Sequence, residues 1–182
     1  MNGEYGMNII RKAKTDDIDA VALIFEHIIE EEEKGKCSIG WQRGVYPTRN
    51  TAVAALENDD LFVMEDDGEI IAAMRLNKEQ VPEYKNCLWE YPAEDDQVMV
   101  MHTLVVEPSV KKRGYGGSMV EFYEDYARVN NCPYLRIDTN EKNTRARALY
   151  KKYGYKEIGI TPCVFNGIGG VNLVCIEKKL DI

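Results

Sequence analysis

The sequence predicts an α/β (α+β) domain built on a mixed sheet, and three observations predict it. Apolar residues recur at helical spacing in some segments and in short strand-like runs in others, in the order β-α-α-β-β-β-α-β-α-β-β. An Asp67-Gly68 pair between two apolar runs marks a hairpin. A strand–helix–strand crossover later in the chain requires at least one parallel strand pair.

The elements follow in order. Residues 8–13 read as a short first strand. Thr15 is a good N-cap, and Asp16 and Asp17 fall in the first turn, where the helix dipole favours acids. Ile18, Val21, Ala22, Phe25, Ile28 and Ile29 then mark one buried helical face. Glu30 to Glu33 continue or end that helix, and four acids near its C-terminus are unfavourable for the dipole. That end must therefore be well solvated or serve a partner. Residues 37–50 are a loop, 51–58 a second short helix, and 61–65 and 69–76 the two arms of the hairpin. Residues 77–96 form a long acidic and aromatic connection, and a loop of that length in a compact domain is often functional.

Residues 98–106 are a long apolar strand closed by Pro108. Glycines follow, then a helix from about Tyr115 to Asn130, with Met119, Phe122, Tyr123 and Tyr126 as its buried stripe. Residues 134–139 are a strand. Asn143 caps a helix whose inward residues are Ala146, Leu149, Tyr150 and Tyr153, and Gly154 stops it. Strands near 155–161 and 171–179 close the chain.

The length of 182 residues suits one domain over 1–182. An apolar fraction of 45% with 30% charged residues is that of a globular chain, not a disordered one. Apolar runs stop far short of a membrane span. The first twelve residues lack a basic-then-apolar leader pattern, so a cytoplasmic location is expected. The five cysteines are scattered without a C-x-x-C pair, which suggests reduced, mostly buried thiols and no disulfide framework. With only His27 and His102 present, no metal centre is expected. The net charge of −8 argues against nucleic acid as the partner. Residues 107–156 nevertheless hold 11 basic and 6 acidic residues, a local +5 in an acidic chain. That split suits a small polyanion at one site.

The informative stretch is Leu104-Val105-Val106-Glu107-Pro108 followed by Lys111-Lys112-Arg113-Gly114-Tyr115-Gly116-Gly117-Ser118. A strand runs into glycines that open a helix. Glycine lets amides converge without Cβ obstruction. The first helical turn offers unpartnered N–H groups and a positive dipole end. Together these make an anion site suited to a pyrophosphate, with Lys111, Lys112 and Arg113 adding charge. The G-x-G-x-x-G dinucleotide form is absent, and no G-K-[ST] ends the turn as in a P-loop.

The pattern Leu104-x-Val106-x-Pro108, Lys111, Gly114-x-Gly116 resembles the acyl-CoA-binding motif of the Gcn5-related N-acetyltransferase (GNAT) family, with Lys111 where Gln or Arg is usual. Asn143-x-x-Ala146-x-x-Leu149-Tyr150-x-Lys152-x-Gly154-Tyr155 resembles that family's second signature. The resemblance is strongest over residues 98–160. It implies a mixed, mostly antiparallel sheet flanked by helices, whose central strands, 98–106 and 134–139, splay apart for a pantetheine arm. It further implies an N-acetyltransferase that uses acetyl-CoA and an amine in a ternary complex.

By that resemblance, backbone groups of Leu104, Val105 and Val106 hold pantetheine, and the Leu104 amide polarises the thioester. Amides from Lys112 through Ser118 grip the pyrophosphate, and Asn143 contacts the cofactor near its sulfur. Tyr150 matches the family's general acid; its spacing alone favours core packing. His102 matches a base position known in one branch of the family, against the alternative of a hydrogen-bonded core histidine. Glu90 and Glu141 are further candidate bases. The acceptor pocket is expected from residues 37–50 and 78–97, with Trp41, Tyr46, Trp89 and Glu90 as substrate contacts. An aromatic, acidic pocket favours a cationic small-molecule amine or a peptide amine. A non-catalytic acyl-CoA sensor is the alternative reading, and homodimer formation stays open.

Overall fold

The computed structural model describes residues 8–110 and 113–181. The elements are β1 (Ile9–Lys12), α1 (Ile18–Glu33), α2 (Arg49–Glu57), β2 (Leu61–Asp66), β3 (Glu69–Asn77), β4 (Val98–Val106), α3 (Tyr115–Val129), β5 (Tyr134–Asn140), α4 (Thr144–Lys152), β6 (Lys156–Phe165) and β7 (Ile168–Lys179). Their order is the one the periodicities predict. The strands form one sheet in the order β1-β2-β3-β4-β5-β7-β6. Every neighbouring pair is antiparallel except β4–β5, which the α3 crossover makes parallel. No helix among the described residues is long and apolar enough to cross a membrane.

Helices cover both faces. α1 buries Ile18, Val21, Ile24, Phe25, Ile28 and Ile29, and it packs with α2 against Val63, Ala73 and Val105. Each such side chain stabilises the fold by roughly 1.5–3 kcal/mol on burial. α3 and α4 cover the other face, where Met119, Val120, Tyr123 and Tyr150 meet Met99, Met101, Leu135 and Ile137.

Some local expectations change. Thr15 is not the cap of α1: Thr15–Asp17 form a 3-10 turn, and the helix begins at Ile18. Asp17 instead accepts from the Lys14 amide at 2.7 Å and from both terminal nitrogens of Arg11. The acidic end of α1 is used internally. Glu32 accepts from the Ile39 and Gly40 amides, and Arg43 pairs with Glu26 and Glu33. These bonds fold residues 37–43 back over the helix end. The closing strands run longer than expected and meet at Asn166-Gly167, both at positive φ, a two-residue hairpin turn. Pro162 is tolerated because β6 is an edge strand.

The cysteine expectation is corrected too. Cys87 and Cys175 are joined as a disulfide across 88 residues, with Cα atoms 6.8 Å apart. The bond ties the 78–97 connection to β7.

Candidate active site

β4 and β5 pair only through Val98–Met101 against Tyr134–Ile137. Beyond those residues β4 stays with β3, and β5 stays with β7. The strands therefore diverge in a V. The cause lies in β4: its register on β3 shifts between Ala73 and Arg75, and Thr103 adopts φ 54°. A β-branched residue at positive φ is strained. The Thr103 hydroxyl is hydrogen-bonded to the Tyr46 hydroxyl.

A cavity of about 1080 Å³ occupies the V and runs to the start of α3. Leu104, Val105 and Val106 line its β4 wall, and Asn143 and Tyr150 line its α4 wall. Arg113 and the turn Gly114 to Gly117 form one end, while Trp41 and Tyr46 stand at the other. Ser118, His102, Trp89 and Glu90 do not line it. Lys111 and Lys112 lie outside the described residues.

The glycines divide the work. Gly114 is the N-cap of α3 at φ +84°, a left-handed conformation that a side chain would strain. A Cβ at Gly117 would collide with the Tyr153 hydroxyl, so this glycine sets the close approach of α3 to the end of α4. The Gly117 and Ser118 amides already donate to the Gly114 carbonyl, at 2.8 and 3.1 Å. The helix-opening amides that precede them are those of Gly114, Tyr115 and Gly116. Of the 112–118 span expected from the sequence, the Gly117 and Ser118 amides are thus engaged within the helix. The Tyr115 hydroxyl donates to Asp66 and anchors this turn to the β2–β3 hairpin.

Asn143 is the N-cap of α4. Its Oδ1 accepts from the Ala146 amide and its Nδ2 donates to Thr139 Oγ1, both at 3.2 Å. Tyr150 is buried against Tyr155, and burial followed by the Asp138 carboxylate raises its pKa. The phenol is therefore protonated at neutral pH.

His102 is not on the cavity side. Strict alternation would put it on the same face as Leu104. The bulge at Thr103 breaks that parity, so Leu104 and Val106 join Met99 and Met101 on the α3 face. His102 Nε2 lies 3.0 Å from Asn77 Oδ1. Burial, and then Arg75, lower its pKa to about 4, so the ring is neutral at physiological pH. Trp89 and Glu90 are also drawn elsewhere. Trp89 stacks edge-on against Tyr84, lies under the Arg136 guanidinium at 4.1 Å and donates to the Tyr84 carbonyl. The Glu90 side chain pairs with Lys156, and its amide donates to Glu177. Glu141 accepts from Asn172 Nδ2 at 2.6 Å. These groups pin the connection and β7.

Asp138 is the residue the sequence reading missed. It follows the last β5 residue that pairs with β4, is partly exposed, and lines the cavity where the strands part. The Tyr84 hydroxyl donates to its Oδ2 at 2.8 Å. Burial raises its pKa to about 6, against the lowering effect of that hydrogen bond. The signal available in the sequence is an acid between Ile137 and Thr139 in a strand with buried positions, where a carboxylate needs a partner or a task.

The comparisons with known proteins agree with this geometry. The model of the acetyltransferase (GNAT) family matches residues 25–155. An N-acetyltransferase named YhfO from Bacillus subtilis, itself uncharacterised, is 27% identical over 150 residues, covering 81% of this chain and 89% of that protein. A GNAT-family acetyltransferase structure from Streptococcus agalactiae superposes with a TM-score of 0.79 at 21% identity, covering 96% of each chain. The yncA structure from Salmonella typhimurium, a putative acetyltransferase with its cofactor acetyl-CoA, superposes with a TM-score of 0.71 at 16% identity over 97% of this chain and 95% of that one. With the family model matching most of its length, the chain belongs to the acetyltransferase (GNAT) family.

Proposed function

We propose that the protein transfers an acetyl group from acetyl-CoA to a primary amine, by direct attack of the amine in a ternary complex. The observation that carries this reading is the divided cavity. One end is a glycine turn at a helix N-terminus, the other is aromatic, and the parted strands β4 and β5 lie between them.

Each part suits one component. The amides of Gly114, Tyr115 and Gly116, with Arg113 beside them, suit a pyrophosphate. The parted edge of β4 at Leu104–Val106 offers backbone groups to a pantetheine arm, as an added strand would use them. The Leu104 amide is the donor assigned to the developing oxyanion. Tyr150 keeps its proton at neutral pH and is assigned to the leaving thiolate. Asn143 orients the α4 end of the wall through its cap. Trp41 and Tyr46 border the acceptor end, and their aromatic faces suit a cationic acceptor.

The test is an acetyl-CoA turnover screen with a thiol readout across alkylamines, polyamines, peptides and aminoglycosides. The reading predicts acceptor-dependent thiol release. It also predicts that Tyr150→Phe lowers kcat by about 100-fold while acetyl-CoA affinity is kept. Tight acetyl-CoA binding without release for any acceptor class would instead favour a non-catalytic sensor.

A further inference from the structure

We propose that Asp138 is the catalytic base of the reaction, the group that takes the proton from the acceptor ammonium, and that the acceptor is a primary amine carried on an apolar arm. This rests on the acetyl-transfer reading above and supplies the proton acceptor which that reading leaves unassigned.

The geometry points here from three sides. Asp138 stands at the fork of β4 and β5, on the wall shared by the acceptor end and the Tyr150 end of the cavity. Of the candidate bases read from the sequence, His102 faces Asn77, Glu90 pairs with Lys156, and Glu141 holds Asn172. The wall around the carboxylate is aromatic and apolar, from Trp41, Tyr46, Ile168, Val171 and Leu173. An amine whose body is apolar would fill that wall and bring its charge to Asp138.

The groups facing Asp138 set its behaviour. Tyr84 donates to it from the 78–97 connection, and Glu83 beside Tyr84 repels its charge. Burial raises the pKa of Tyr46, of Tyr150 and of Cys163 in β6, and the Asp138 carboxylate adds to each rise. Cys175, opposite Asp138 in β7, is held in the disulfide and does not titrate. With Tyr84 as the positioning residue, the carboxylate is ionised at neutral pH yet basic enough to accept a proton.

The steps balance. The amine enters as the ammonium, and Asp138 takes one proton. The freed lone pair forms the C–N bond to the acetyl carbon, and the C–S bond breaks. The thiolate takes the Tyr150 proton, the second N–H proton restores the phenol, and Asp138 releases its proton to water. The products are the amide, the free thiol and one proton.

The experiment uses n-hexylamine as acceptor and follows kcat/KM from pH 5 to 9, with acetyl-CoA affinity measured in parallel by calorimetry. The parent protein is expected to show an acid limb near pH 6 and a plateau above it, because the bound ammonium is the reacting form. Asp138→Asn is expected to lose about 100- to 1,000-fold at pH 7. It should also lose the plateau, its rate climbing tenfold per pH unit because only the neutral amine reacts. Tyr84→Phe removes a hydrogen bond that favours the carboxylate, so its limb should move to higher pH with acetyl-CoA affinity kept. An Asp138→Asn protein that keeps the plateau within threefold of the parent overturns the assignment. So does the absence of hexylamine-dependent thiol release in a protein that binds acetyl-CoA. Failure to bind acetyl-CoA at all would instead sink the acetyl-transfer reading.

Discussion

Replacing Asp138 by Asn should make the folded protein more stable at alkaline pH. Burial moves this carboxyl from its ordinary 3.8 to about 6, so the folded state binds its proton more tightly than the unfolded chain. Stability attached to the group is therefore greatest at low pH and is lost as pH rises from about 4 to 6. At pH 8 an ionised Asp138 costs the fold about 3 kcal/mol. Two effects reduce the gain on substitution. The carboxylate keeps an edge in the cavity, and the Tyr84 hydroxyl would donate to a neutral amide oxygen instead of a charged one. A net gain of about 2 kcal/mol remains. For a chain of this size that raises Tm by roughly 4–8 °C. Thermal denaturation of both proteins at pH 8 and pH 4 measures it. The expected gap at pH 8 shrinks toward zero at pH 4, where the parent carboxyl is protonated in the fold. An unchanged or lower Tm at pH 8 would refute the claim that burial dominates at this site.

Substitutions at two further sites, His102 and Gly117, test the geometry. His102→Gln should retain acetyl transfer within a few fold, because the ring faces Asn77 and not the cavity. Since the folded pKa of His102 is lowered to about 4, the unfolded chain gains a proton first as pH falls from about 6.5, and stability drops. Denaturation curves between pH 4 and 7 should show that drop flattened in the variant. Gly117→Ala places a methyl against the Tyr153 ring and should cost about 1–3 kcal/mol. The double variant with Tyr153→Ala should recover part of that loss in urea titrations.

Much of this site was legible because it depends on local chemistry. A glycine at positive φ, a helix opening after a strand, an Asn cap and an Asp-Gly turn each leave a signature within a few residues, and Gly114, Asn143 and Gly68 are where those signatures lie. What stayed hidden depends on non-local packing. Thr103 takes a left-handed conformation that its residue type disfavours, so no local rule announces the bulge that separates His102 from Leu104. Cys87 and Cys175 meet only because the connection folds over β7. The aromaticity of Trp89 suggests a substrate contact, yet the Arg136 guanidinium and the Tyr84 ring enclose it. Tyr84 was visible in the same connection, but its bond to Asp138 spans 54 residues. The acidic end of α1 is neither left to solvent nor kept for a partner, as its sequence suggests, because the Ile39 and Gly40 amides and Arg43 fold back onto it.

The central claim is that the parted strands and the glycine turn form an acetyl-CoA site. Isothermal titration of acetyl-CoA into the purified protein tests it most directly. One saturating event per chain is predicted, with Kd on the order of 1–100 μM, within the usual range for enzyme substrates. A flat titration at millimolar acetyl-CoA, with no rise in Tm at the same concentration, would contradict it.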